Sequence, residues 1–335
     1  MVKVWFNHWF STVYGLIELI KQDKNEQIYV IGSNRVEESV IQAACDEWYK
    51  EPDIDGEDYI RFCLDFCREH GIDVFIPRRK MTEISENIHR FNEIGVKVMV
   101  DDFETIAALN DKIKSYELLR DCKGVNIPEY RLASTVSEFR SAYEALRKTN
   151  DIVCMKFVRD EGALSFRRIS EKKRGFDSLR RYQGSEIFYD DLIEMLEEQK
   201  DFPPIMVMSY LGGSEISIDC LDTDNGLIAV PRVKTNGRHE YVDFNDENMP
   251  VAVEIMKKLK LNFPCNIQFR YKDNVPYFLE VNTRMSGGLQ MSCLATGVNI
   301  PNIALNKLLG RETQWEIDKS EKVVSYIEIP KIIKK

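Results

Sequence analysis

Three oxygen-bearing side chains, Gln268, Glu280 and Asn282, lie in the stretch NIQFRYKDNVPYFLEVNTRMSGG, which runs from Asn266 to Gly288. Side chains alternate along a strand, so Asn266, Gln268 and Arg270 share one face of a first strand, and Phe278, Glu280, Asn282 and Arg284 one face of the next. An odd-length loop between the strands, such as Asp273 to Val275, brings Gln268 and Glu280 onto a common face; an even loop separates them. Three oxygen donors and an arginine at one strand end suit a hard divalent cation that also holds phosphate oxygens, because magnesium takes few protein ligands. The competing reading is the solvated face of a hairpin, where polar alternation is ordinary. Two details weigh against it. Glu280 sits in the apolar run YFLEVN, where a carboxylate is costly without a cation, and Arg284 with Gly287 and Gly288 supplies a cation and a flexible turn directly after it.

The elements that position these residues fall into two styles. From Val2 to Val100 short apolar runs alternate with amphipathic stretches, the pattern of parallel βαβ units. Strands are expected at Val2 to Phe6, Ile28 to Ile31, Val74 to Ile76 and Val96 to Val100, with helices at Ser11 to Lys21, Val36 to Cys45, Tyr59 to His70 and Met81 to Asn92. Gly71 is a helix stop and Pro77 a strand stop. A polar helix from Asp102 to Asp121 changes the character, and a domain boundary is placed near 101–110. Beyond it strands dominate, at Ile152 to Phe157, Ile205 to Ser209, Glu215 to Leu221, Leu227 to Pro231, Asn266 to Tyr271 and Tyr277 to Val281. Helices at Tyr189 to Gln199, Val251 to Leu259 and Asn302 to Leu309 fill between them. The second part reads as α+β with antiparallel hairpins.

Composition bounds the function. The 335 residues are 44% hydrophobic and 30% charged, enough for two or three domains with a sizeable core. A net charge of −9 argues against nucleic-acid or membrane-surface partners, which are themselves anionic. There is no apolar run of about 18 residues and no secretory pattern, so a cytoplasmic location is expected. The eight cysteines are scattered without metal-ligand spacing; even Cys63 and Cys67, four apart, are flanked by Phe62, Leu64 and Phe66 and read as core thiols.

The order N-x-Q-F, F-L-E-V-N-x-R, S-G-G and then Ala295 to Gly297 resembles the ATP-grasp superfamily, in the form found in carbamoyl phosphate synthetase large chains and biotin carboxylases. The resemblance implies an ATP-grasp fold, mixed α/β and α+β, with an N-terminal open parallel α/β (pre-ATP-grasp) domain over 1–105, a lid subdomain over 106–210 and a C-terminal subdomain over 211–335. It implies ATP and Mg2+, with Mn2+ as an alternative, as cofactors. Gln268, Glu280 and Asn282 become the metal ligands, and Arg284 contacts the acyl-phosphate region.

Other segments carry over in the same way. Asp111-Lys112 followed by Gly124, Val125 and Pro128 looks like the segment whose lysine reaches the nucleotide phosphates, and Met155-Lys156 like the second phosphate lysine. KFVRDEGALS stands where the family has a glycine-rich lid, retaining only Gly162, so Arg159, Arg167 and Arg168 are expected to supply charge in place of backbone amides. MVMSYLGGSEISID resembles the hinge and ribose strand: Ser209, Tyr210 and Leu211 read the adenine edge and Glu215 the ribose, with Ser209 replacing the usual glutamate. Arg232 and Lys234 stand where family members anchor substrate.

On the acceptor side, ligands of open parallel sheets sit beyond the carboxyl ends of the strands. Asn7, His8, Ser11, Thr12, Ser33, Asn34 and Arg35 occupy such positions, and Arg78, Arg79 and Lys80 read either as an anion pocket or as a solvated helix entry. The expected activity is an ATP-dependent ligase that phosphorylates a small anionic carboxylate, one form being a phosphorylated acid, for attack by an amine or similar nucleophile. A small-molecule kinase and a nucleotide-binding module without catalysis are the alternatives. A homo-oligomer is compatible with the resemblance.

Overall fold

The computed structural model describes residues 1–159, 164–172, 175–176, 184–199, 201–235 and 237–333. The chain divides into two compact units: Met1–Leu109 with Glu215–Gln268 and Glu280–Lys335, and Asn110–Ser214 with Phe269–Leu279.

The first unit opens with β1 (Val2–Asn7), α1 (Val13–Ile20), β2 (Ile28–Asn34), β3 (Glu47–Lys50), α2 (Gly56–His70), β4 (Val74–Ile76), α3 (Met81–Glu86), α4 (Ile88–Glu93), β5 (Lys97–Val98) and α5 (Phe103–Leu109). The strands form a wholly parallel sheet in the order β3-β2-β1-β4-β5. Both faces are covered, which is why β1 reads as a nearly unbroken apolar run. Trp5 points to one side, stacked on Phe75 with ring centres 4.0 Å apart, while Val4 and Phe6 point to the other. Gly71 closes α2 in the left-handed conformation, as expected, with φ 62°.

Three expected helices are corrected. Val36 to Cys45 holds only a single tight turn at Val40–Ala43, where the Ser39 hydroxyl accepts from the Ile41 amide, and Glu47–Lys50 is an edge strand. Met81 to Asn92 is broken at Asn87, and Asp102 to Asp121 at Asp111. Aspartate and asparagine side chains compete for local backbone groups and so end one helix and start the next.

The second unit contains α6 (Lys112–Leu119), β6 (Tyr130–Ala133), α7 (Val136–Arg147), β7 (Val153–Phe157), β8 (Arg167–Ser170), β9 (Glu186–Phe188), α8 (Tyr189–Glu198) and β10 (Ile205–Ser209). Its sheet runs β6-β10-β7-β8-β9, with β10 between β6 and β7 and antiparallel to both. Helix α7 was not expected, although Thr135 and Glu138 spell a capping box that the structure forms.

The chain then returns to the first unit through β11 (Glu215–Thr223), β12 (Gly226–Lys234), β13 (His239–Val242), α9 (Met249–Leu259), β14 (Cys265–Lys272), β15 (Val275–Asn282), α10 (Leu289–Thr296), α11 (Ile300–Leu308) and β16 (Lys322–Ser325). The third sheet is ordered β15-β14-β11-β12-β13-β16. Leu221, Ile228 and Val230 of this sheet pack in one continuous core with Val4, Phe6 and Leu16. That shared core joins the N-terminal and C-terminal segments into a single unit.

Candidate functional site

The hairpin of β14 and β15 turns on two residues, Asp273 and Asn274, with φ of 51° and 60°. This is the two-residue loop that positive φ at both central positions permits. The loop is even, not odd, and a regular hairpin of this kind would put Gln268 and Glu280 on opposite faces. Along β15, Phe278 and Val281 are the buried positions, three apart, and Glu280 and Asn282 are half-exposed, so burial does not follow strict alternation. Phe278 meets Phe269 across the hairpin, ring centres 6.2 Å apart. Glu280 and Asn282, two apart on β15, are joined by a hydrogen bond.

Hydrogen bonds orient these groups. The Gln268 Nε2 donates to Asn266 Oδ1 at 2.9 Å, and the Asn282 Nδ2 to Glu280 Oε1 at 2.9 Å. Each amide thus uses its nitrogen internally and presents its oxygen. One carboxylate and two carboxamide oxygens suit a divalent cation that completes its shell with phosphate oxygens. Among the described residues no cluster of three or more His, Cys, Asp or Glu exists to hold a metal without such help.

Beneath Gln268 lies a buried polar network. Asn266, fully buried, also donates from Nδ2 to Asp219 Oδ1 at 2.7 Å and accepts from Ser217 Oγ at 3.0 Å. Asp219 accepts further bonds from Ser286 Oγ (2.7 Å), Ser292 Oγ (2.6 Å) and Arg232 Nε (3.0 Å). Arg232 also pairs with Glu240 and reaches Ser217 and Ser286. Burial alone would lower its pKa; the Asp219 and Glu240 charges outweigh that and raise it. The guanidinium expected at a substrate is instead enclosed, 1% exposed and saturated by protein groups. Gly288 packs so close that a β-carbon there would stand 2.2 Å from Arg232 Nη1. Lys234 faces Glu215 across β11 and β12 and forms an ion pair with it, so the expected substrate cation and ribose carboxylate meet each other.

In the second unit Lys112 is the first residue of α6, behind Asp111, whose carboxylate accepts from the Ile113 and Lys114 amides. Lys156, on β7, lies opposite Met206 of β10 with its ammonium 5.7 Å from the Tyr116 ring centre. At the end of β10 the Ser209 amide donates to Glu129 O at 3.0 Å and the Tyr210 amide to Ile152 O at 3.1 Å. The Tyr210 ring is flanked by the Arg168 and Arg270 guanidinium carbons at 5.9 and 6.0 Å. Arg159 pairs with Asp111 at 3.2 Å, Arg168 with Glu186, and Arg167 with the Leu164 and Phe166 carbonyls. These arginines are tied to protein groups, in contrast to the expectation that they take over from the missing glycines. Gly162 lies outside the described residues.

The basic run beyond β4 divides. Arg79 is buried over Tyr59 and bonded to Asp55, Glu51 and the Ile54 carbonyl, and Lys80 pairs with Asp55 and Glu83. Arg78 and Arg284 instead approach the ring of Phe10, a residue sequence reading did not single out. Asp219 was also missed as a site residue, although it closes the quoted SEISID segment.

These three sheets and their order are those of the ATP-grasp fold. Among solved structures, the chain superposes on N5-carboxyaminoimidazole synthetase from Staphylococcus aureus complexed with ADP, with a TM-score of 0.71, 10% identity and coverage of 97% of this chain and 82% of that one. It superposes also on the biotin carboxylase domain of Hydrogenobacter thermophilus 2-oxoglutarate carboxylase with MgADP and bicarbonate, with a TM-score of 0.66, 16% identity and coverage of 96% and 73%. The chain has the ATP-grasp fold. Residues 201–331 match the family described as ATP-grasp in the biosynthetic pathway with Ter operon. The carbamoyl phosphate synthase large chain of Clostridium acetobutylicum is 24% identical over 70% of this chain, and that of Pseudothermotoga lettingae 21% identical over 91%. The chain spans only 22% and 28% of the length of these two relatives. Among the described residues no helix is long and apolar enough to cross a membrane.

Proposed function

We propose that this chain is an ADP-forming, Mg-ATP-dependent ligase that activates a small carboxylate as an acyl phosphate for attack by an amine or similar nucleophile. The observation that carries the reading is the pair of hydrogen bonds on the β14–β15 hairpin, Gln268 to Asn266 and Asn282 to Glu280, which use the amide nitrogens and leave the Gln268 and Asn282 oxygens for a cation. The likeness to ligases crystallised with ADP or MgADP supports the nucleotide, and the likeness to carbamoyl phosphate synthase large chains supports the carboxylate.

Gln268, Glu280 and Asn282 are the groups that hold the metal, whose chemistry is to neutralise charge on the transferred phosphoryl group. Lys112 and Lys156 add positive charge toward the phosphates. The Ser209 and Tyr210 amides are already bonded, which makes the Leu211 amide the hinge donor for the base edge. Glu215, held by Lys234, takes the ribose hydroxyls. Arg284 meets the carboxylate and stabilises charge as the acyl phosphate forms. Arg232 acts through Asp219 and Asn266 on Gln268, a positioning role in place of the substrate contact expected from sequence. Segments 106–210 and 211–335 are the lid and C-terminal subdomains in this reading, and 1–105 is the acceptor-side domain. The eight free cysteines support a reducing, cytoplasmic setting.

The test is ADP release over a panel of carboxylate and amine pairs. A product that stays phosphorylated with every amine offered makes the chain a kinase, and failure of folded protein to bind Mg-ATP removes the nucleotide reading.

A further inference from the structure

From the central strand β1 the chain proceeds to β2 and β3 on one side and only later to β4 and β5 on the other. Loops on the two sides diverge at the carboxyl edge of the sheet, where small ligands of open parallel sheets settle. Trp9 follows β1, Ile76 ends β4, Met81 opens α3 and Met99 follows β5. The Trp9 Nε1 donates to the Ile76 carbonyl at 3.0 Å, which fixes the indole against the end of β4.

These four residues, with Phe263 and Met285, line a cavity of about 10 Å³, the room that one water-sized group takes. Trp9, Ile76, Met99 and Met285 belong to the core that joins the N-terminal and C-terminal segments. Voids of that size are few in a close-packed interior. A water held there needs about two to four polar partners. The indole nitrogen is already committed to Ile76, and the aliphatic, thioether and phenyl groups around it offer none. An apolar group is the better guest. Three of the lining side chains are methionines, unbranched and polarisable, which adapt to the shape of what they enclose.

The place of the cavity ties it to the ligase chemistry. Thr283 and Arg284 complete its wall, and they follow Asn282 directly in sequence. A guest in the cavity therefore lies beside the strand end that carries Asn282.

We propose that this cavity receives the apolar end of the carboxylate substrate, which makes the substrate class a short, unbranched acid ending in an alkyl or thioether group. Met81, half-buried at the first turn of α3, limits the length that fits. That the guest is a carboxylate activated at the end of β15 rests on the ligase reading; recognition of its apolar end does not.

Titration of the nucleotide-free full chain with acetate, butyrate and hexanoate, followed through the ε-methyl NMR resonances of Met81 and Met99, tests the proposal. Each methylene buried should tighten binding about fourfold, so butyrate should bind about tenfold or more tighter than acetate. Hexanoate should add little, because the cavity is already filled. Met81→Phe narrows the cavity and should remove most of the advantage of butyrate. Equal affinity for acetate and butyrate, a gain that continues undiminished to hexanoate, unmoved methionine resonances, or an unchanged advantage in folded Met81→Phe overturns the proposal. Should that variant fail to fold, the unmutated chain decides by the length dependence and the methionine resonances. ADP release with the same acids and a panel of amines tells the two readings apart. No release with retained length-dependent binding removes the ligase reading alone. Equal release with acetate and butyrate, with unmoved resonances, removes the cavity alone.

Discussion

Arg232 and Asp219 face each other at 3.0 Å with each side chain only 1% exposed, and together they anchor the bonds that run through Asn266 to Gln268. Charges this deep are tolerable only because every oxygen and nitrogen is matched, so removing one partner strands the others. Arg232→Ala leaves Asp219 and Glu240 buried without a cation. A loss of about 3–5 kcal/mol in urea unfolding is expected, and a variant as stable as the parent would contradict the enclosed ion pair.

Gly288 tests the same packing from outside. With a β-carbon 2.2 Å from Arg232 Nη1, Gly288→Ala forces the guanidinium or the loop to move. Overpacking of this kind costs about 1–3 kcal/mol. The lowered melting temperature should be accompanied by weaker Mg2+ activation, because the shift propagates to Gln268.

Glu280 is half-exposed and bonds only to the neighbouring Asn282 among the contacts described, so Glu280→Gln should leave the fold intact. Turnover should disappear while the unfolding curve stays unchanged. Wild-type activity in this variant would remove the metal assignment.

Asp101 gives a pH signature. Its carboxyl is 2% exposed, with Oδ2 lacking a partner and Oδ1 accepting from the Asn262 amide at 2.6 Å. Burial pushes its pKa up from 3.8 to about 6. The folded state therefore holds this proton more tightly than the unfolded chain, and stability falls as pH rises between about 4 and 6. The full contribution, roughly 3 kcal/mol as an order of magnitude, is gone above that window. Asp101→Asn keeps the oxygen that accepts from Asn262 and should flatten this part of the stability curve; an unaltered slope would assign it elsewhere.

The fold was largely legible because its signals are local. The apolar runs of β1, β2, β4 and β10, the Gly71 stop of α2 and the alternation of β11 and β14 follow from residue types a few positions apart. The losses were also local in cause: Asn87 and Asp111 broke helices that hydrophobic spacing alone would continue, and the Thr135 capping box was overlooked.

What the sequence by itself determined is the set of chemical groups at one strand end, Gln268, Glu280, Asn282 and Arg284, and the alternation that lets them converge. Whether they converge is a matter of tertiary structure, because the two-residue loop of a regular hairpin would separate Gln268 from Glu280, and burial at Phe278 and Val281, three apart, departs from the alternation that the sequence suggests. The fate of each cation was decided there too. Arg232, Lys234 and Arg79 look like substrate cations in sequence, but each is anchored because the fold brings a carboxylate within about 4 Å of it. Glu215 and Asp219 lie on the strand paired with that of Lys234 and Arg232, and Glu51 follows another strand of the parallel sheet, so the pairing depends on strand register and not on residue order.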